Sequence, residues 1–159
     1  MSNFLSDRLN SLKIKRTFTN SPIANYKSFL KFENLIFISG QLPVVNGELK
    51  FSGKIDVNLS KKDAIKSIEL ATSNLLWNLS DFINITKGII SIKCLNIKGY
   101  MNCSEQFKDH SSLFNVSSDL IVNVLGRENG QHSRSVMGVN SLPKNSPIEI
   151  DGIFGLIFK

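Results

Sequence analysis

Two short clusters carry the side chains best suited to chemistry: His132, Ser133 and Arg134 in one, and Glu149, Ile150 and Asp151 in the other. Arg134 opens an otherwise apolar run, where a guanidinium must meet an anion or reach solvent, and its planar fork matches a carboxylate. Glu149 stands between Ile148 and Ile150, so the two-residue period of a strand turns it away from the face those two occupy. If the two runs pair antiparallel through the short stretch between Pro143 and Pro147, arginine and glutamate come to neighbouring rows. The pair then reads either as a salt bridge across adjacent strands or as an anchor and a proton-transfer group for a small acid. Cys94 and Cys103 have no CxxC spacing and no histidine placed in sequence as a metal partner, so they read as reduced structural thiols. Neither His110 nor His132 belongs to a nucleophile-elbow or metalloprotease pattern, and no glycine-rich phosphate loop occurs.

The surrounding sequence predicts the elements that hold these groups. Phe4, Leu5, Leu9 and Leu12 recur at helical spacing in a short N-terminal helical segment, at about residues 1–14. Residues 24–32 and 35–39 read as two strands joined at Glu33 and Asn34 and closed by Gly40. Residues 44–56 form a loop or irregular hairpin with turn signals at Asn46-Gly47 and Ser52-Gly53. Ser60 with Asp63 is a capping box, and Ala64, Ile65, Ile68, Ala71, Leu75, Leu76, Leu79 and Phe82 follow as an apolar helical stripe, with Trp77 on its flank. A long strand at 89–101 comes next, then a second helix capped by Ser104 and ended after Leu125 by Gly126. Two strands, 133–142 and 148–158, complete the order ββαβαββ. That order predicts an α+β fold with two main helices on one face of a mixed sheet, and a second face that needs a partner.

The 159-residue length suits one domain over 1–159, and 42% hydrophobic with 20% charged residues can furnish a packed core. The net charge of +6 comes from dispersed lysines, with arginine only at Arg8, Arg16, Arg127 and Arg134, which argues for a solvated surface over a nucleic-acid groove. Met1 to Asn10 contains Asp7 and lacks the apolar stretch of an export signal, and no apolar run approaches the roughly 18 residues of a membrane span. The expected location is therefore cytoplasmic.

The segments Asn25-Tyr26, Ser39-Gly40-Gln41-Leu42-Pro43, Arg134 to Pro143 and Ile148-Glu149-Ile150-Asp151 resemble, in order and spacing, the RidA (YjgF) family, also labelled L-PSP endoribonuclease. The N-terminal helix with Arg8-Leu9, the Ala24-Asn25-Tyr26 segment and the Ser118-Asp119-Leu120 helix look like a branch of it grouped as chorismate-mutase-like. The resemblance implies a chorismate-mutase-like fold, a homotrimer, and inter-subunit clefts that bind small carboxylates. It also implies hydrolysis of reactive 2-imino acids or enamines to 2-oxo acids and ammonia, without metal or cofactor. Arg134 matches the arginine that holds the substrate carboxylate, Glu149 the glutamate that holds water, Tyr26 a cleft tyrosine and Asn115 an asparagine of the second helix. The chain departs from the pattern at Val136, where relatives often carry cysteine, at Ile121 and Val122, where aromatic residues are usual, and in a 126–132 loop longer by about two residues. The alternatives are a trimer that binds small carboxylates without turning them over, and RNA cleavage, for which the sequence supplies no histidine pair or metal cluster.

Overall fold

The computed structural model describes residues 3–17 and 25–159. Asn3 caps the first helix, α1 (Phe4–Ser11), accepting from the backbone of Leu5 and Ser6, and Leu5 and Leu9 bury its inner side. Strands β1 (Phe29–Phe32) and β2 (Leu35–Gln41) form the expected hairpin around Glu33, and a second small hairpin, β3 (Val44–Val45) with β4 (Glu48–Leu49), turns at Asn46-Gly47. Of the first predicted strand, Ala24 lies outside the described residues, and Asn25 to Ser28 lead into β1 without pairing as strand.

Helix α2 (Lys61–Ile85) begins where its cap predicts: Ser60 Oγ accepts from the Asp63 backbone at 3.1 Å and donates to Asp63 Oδ2 at 2.9 Å. Its apolar stripe packs on the sheet, and Trp77, read from sequence as a flank residue, is buried beneath the Arg16 guanidinium 5.9 Å away. The long strand β5 (Ile89–Asn102) follows. Helix α3 (His110–Leu125) starts five residues later than Ser104 suggested, with Asp109 at its cap position, because the chain first turns through residues 104–108. Gly126 (φ 80°) ends α3 as expected, but a further helical turn, α4 (Arg127–Gly130), intervenes before β6 (Ser133–Val139) and β7 (Ile148–Phe158).

The five-stranded sheet runs β1-β2-β7-β5-β6, with β6 parallel to β5 and all other neighbours antiparallel. This corrects the expected β6–β7 pairing: β5 lies between them, and the turn at Pro143–Asn145 carries the chain across it. One face of the sheet, with Ile36, Ile38, Ile97, Met101, Ile150 and Phe154, forms the core under the helices. On the other face Leu30, Phe32, Phe37, Leu95, Met137 and Ile157 stay exposed, as the one-sided packing predicts.

Gly99 on β5 leaves room for a side chain of α3; a Cβ there would stand 2.6 Å from Phe114 Cζ, and Phe114 is fully buried. Gly99→Ala is therefore expected to cost about 1–3 kcal/mol through overpacking, read as a lowered denaturation midpoint.

Candidate active site

Arg134 lies on the edge strand β6 opposite Ile97, and residues in register share a face, so Arg134, Val136 and Gly138 all point to the helix side. There α3 offers Ser111, Phe114 and Ser118 at spacings of three and four, one stripe of the helix. Arg134 Nη1 donates to Ser118 Oγ at 2.9 Å and Nη2 to the Ser111 carbonyl at 3.0 Å, while the guanidinium carbon rests 5.8 Å from the centre of the Phe114 ring. All three partners are neutral, and among the described residues no carboxylate pairs with Arg134. A guanidinium has five N–H donors, so three remain for a ligand.

His132 steadies the same group. Its Nδ1 lies 2.5 Å from the Gly130 carbonyl, which can only accept, so that nitrogen carries the proton. Nε2 is then free to accept from Ser118 Oγ 3.1 Å away, leaving the serine's lone pairs toward Arg134. Asn115 is exposed on α3, one turn beyond Ser111 and on the solvent side of the stripe that faces the arginine.

Glu149 projects from the opposite face of the sheet, as its alternation with Ile148 and Ile150 predicts. The motif Ser39-Gly40-Gln41-Leu42-Pro43 makes room for it. Between Ile38 and Gln41 the β2–β7 register shifts, and a Cβ at Gly40 would overlap Glu149 Oε1. The loop is pinned to α2 by buried amides: Asn78 Nδ2 donates to Gln41 Oε1 at 2.7 Å, and Asn74 Nδ2 to the Leu42 carbonyl at 2.9 Å. Burial pushes the Glu149 carboxyl above its usual 4.5, and the nearby Asp151 charge adds to the effect. Asp151 itself accepts from Tyr100 Oη at 3.0 Å and pairs with Lys98 at 3.5 Å. Tyr26, half exposed, precedes β1 on the Gly40 side of the sheet, where Ser39 Oγ donates to the Lys27 carbonyl at 2.7 Å. Gly40→Ala is expected to displace the Glu149 carboxyl and to lower turnover or ligand affinity by more than it lowers the melting temperature, because the group that must move is a flexible side-chain end.

The four residues nominated from sequence thus fall into two groups. Arg134 and Asn115 belong to the β6–α3 side; Glu149 and Tyr26 belong to the β2–β7 side. Arg134 pairs with Ile97 and Glu149 with Tyr100, so two strand spacings and three residues along the strand put their Cα atoms about 14 Å apart, with side chains on opposite faces. A salt bridge between them within one chain is excluded by this geometry. Sequence reasoning missed Ser111 and Ser118, whose signal was a pair of small polar residues seven apart on the helix that covers the arginine.

Comparison with known proteins agrees with this architecture. A family model described as "YjgF/chorismate_mutase-like, putative endoribonuclease" matches residues 7–153. A RutC family protein of Buchnera aphidicola subsp. Schizaphis graminum is 30% identical over 137 residues, covering 83% of this chain and 88% of its own. A Shewanella oneidensis structure described as a "putative endoribonuclease" superposes with a TM-score of 0.82 at 22% identity, covering 98% of this chain and all of that one. E. coli TdcF, solved with bound serine, superposes with a TM-score of 0.61 at 17% identity, covering 90% of this chain and 99% of that one. The mixed sheet with its helices on one face agrees with these relatives, and the chain belongs to the YjgF/chorismate-mutase-like family.

Proposed function

We propose that this protein hydrolyses small 2-imino acids to 2-oxo acids and ammonia, in clefts shared between the copies of a homotrimer. The observation that carries this reading is Arg134: a guanidinium oriented by two neutral oxygens and an aromatic face, with donors left over and, among the described residues, no carboxylate paired with it. Such a group is a receptor for a planar anion. The serine bound to E. coli TdcF is a ligand of the same class, a small amino acid with a free carboxylate.

In the reaction, Arg134 fixes the substrate carboxylate and so places C2, an electrophilic carbon, beside a water held by Glu149 of a neighbouring copy. Water oxygen bonds to C2 while one of its protons passes to the Glu149 carboxylate. Glu149 returns that proton to the nitrogen, the hydroxyl proton follows it there through the same carboxylate, and as the C–N bond breaks ammonia leaves and the C=O bond of the 2-oxo acid forms. Burial and the Asp151 charge raise this carboxyl, which strengthens it as an acceptor of the water proton.

The separation of Arg134 from Glu149 within one chain supports a cleft between copies, and the exposed apolar side chains on the Glu149 face supply a surface for association. The test is complementation. Arg134→Ala and Glu149→Gln chains, each inactive alone toward 2-iminobutanoate generated in situ, are co-expressed in equal amounts. If each site takes its arginine from one copy and its glutamate from the next, about one site in four is intact and activity returns to that fraction. No recovery from mixed oligomers would overturn the shared cleft. Wild-type protein that binds 2-oxobutanoate but forms no product from the imine would overturn the hydrolysis.

A further inference from the structure

A second constellation lies apart from Arg134 and Glu149. Cys103 follows the end of β5 and His110 opens α3, and the turn between them folds so that Cys103 Sγ stands 3.4 Å from His110 Nε2. Both line a cavity of about 690 Å³ together with Lys54, Phe107, Gly138 and Asn140. The Phe107 ring packs edge-on against the imidazole, centroids 4.9 Å apart, and fixes its plane. Gly138 leaves the space above the pair open: a Cβ there would stand 2.7 Å from His110 Nε2 and 3.0 Å from Cys103 Sγ. Lys54 Nζ donates to the Asn140 carbonyl at 2.7 Å and the Cys103 carbonyl at 3.3 Å, which leaves the third N–H of an ammonium for the cavity.

The other cysteine shows what is particular here. Cys94 is packed in the core, has no histidine beside it, and burial pushes its thiol up to about 12. Burial also raises the Cys103 thiol; the Lys54 charge opposes this and Asp56 adds to it, so sulfur rests as S–H and reacts only where a base takes the proton as the new bond forms.

We propose that Cys103 is a nucleophile, with His110 as its proton acceptor and Lys54 as the donor to a developing oxyanion, in a site for small α,β-unsaturated carbonyl compounds. Sulfur is a soft nucleophile and adds to the β-carbon of such a compound. As the S–C bond forms, the thiol proton passes to His110 Nε2 and the C=C electron pair shifts to leave an enolate, whose oxygen faces the Lys54 ammonium. The enolate then takes the proton from His110 at its α-carbon. The net change is addition of S–H across C=C, with no oxidant or reductant. This inference does not rest on the imine-hydrolysis reading.

The test uses acrylamide on the full-length protein, with adduct formation followed by intact mass and assigned by peptide mapping. Wild-type protein is expected to acquire one adduct, on Cys103, with Cys94 unmodified until the chain is denatured. His110→Gln, Lys54→Met and Gly138→Ala are each expected to slow labelling at least about tenfold while thermal melts show folded protein. Labelling as fast in folded His110→Gln as in wild type would overturn the proposal, as would equal labelling of Cys94 and Cys103. If His110→Gln does not fold, Gly138→Ala takes its place, because it keeps both reacting groups and crowds the space beside them; undiminished labelling of that variant overturns the proposal equally.

Discussion

Replacing Arg134 with lysine is expected to weaken carboxylate binding and imine turnover by about 10- to 150-fold, the equivalent of one charge-assisted hydrogen bond of about 1.5–3 kcal/mol. Lysine keeps the positive charge, so a site that used charge alone would be little affected. What it loses is the planar fork that Ser118, the Ser111 carbonyl and the Phe114 ring hold in one orientation. Stability should change by about 1–2 kcal/mol, because the lost contacts are two hydrogen bonds of a partly exposed side chain, whose partners water can satisfy, and no ion pair is broken. Isothermal titration with 2-oxobutanoate and a thermal melt, run on the same preparation, check both halves. A large fall in melting temperature with unchanged ligand affinity would make Arg134 a structural residue and remove the basis for the proposed function.

Glu149→Gln is expected to lower turnover by about 10²–10⁴-fold, the usual contribution of a positioned proton-transfer group, and to raise the melting temperature at pH 7. The sign of the second effect follows from the raised carboxyl. A group that holds its proton more tightly in the folded state than in the unfolded chain favours folding below its unfolded pKa, here about 4.5, and loses that contribution as pH rises through the folded value. At neutral pH the ionised carboxylate is thus half-buried, beside Asp151, and strains the fold. Glutamine fills the same volume without the charge. Melts of the two proteins across pH 4 to 8 should therefore diverge toward neutrality, the variant showing the flatter curve. A variant that melts lower than wild type at pH 7 would show that Glu149 is held by a favourable partner instead.

The elements were legible wherever a local pattern dictates them. Ser60 with Asp63 placed the start of α2, alternation put Glu149 opposite Ile148 and Ile150, and Asn46-Gly47 marked a turn that the chain makes. The start of α3 was missed because the 104–108 turn satisfies its backbone locally and Asp109 caps without a side-chain hydrogen bond, so no residue type announces the boundary. Trp77 was misjudged because its burial beneath Arg16 depends on where the N-terminal segment crosses α2.

The amino-acid sequence by itself indicated the family to which the chain belongs, through the motifs that hold Tyr26, Arg134 and Glu149, and it nominated Arg134, Glu149, Tyr26 and Asn115 as the side chains for chemistry. Strand order was decided by the tertiary structure alone. Consecutive strands joined by a short turn usually pair, yet β5 separates β6 from β7, and parallel pairing with β5 puts Arg134 on the helix side while Glu149 faces the other way. The same tertiary packing brought Ser111 and Ser118 to Arg134 and His110 to Cys103, contacts between elements that no local spacing encodes. Period and capping act over a few residues and are written in neighbouring side chains. Which strand lies beside which is settled by burial of the whole apolar face at once, a quantity no single segment contains.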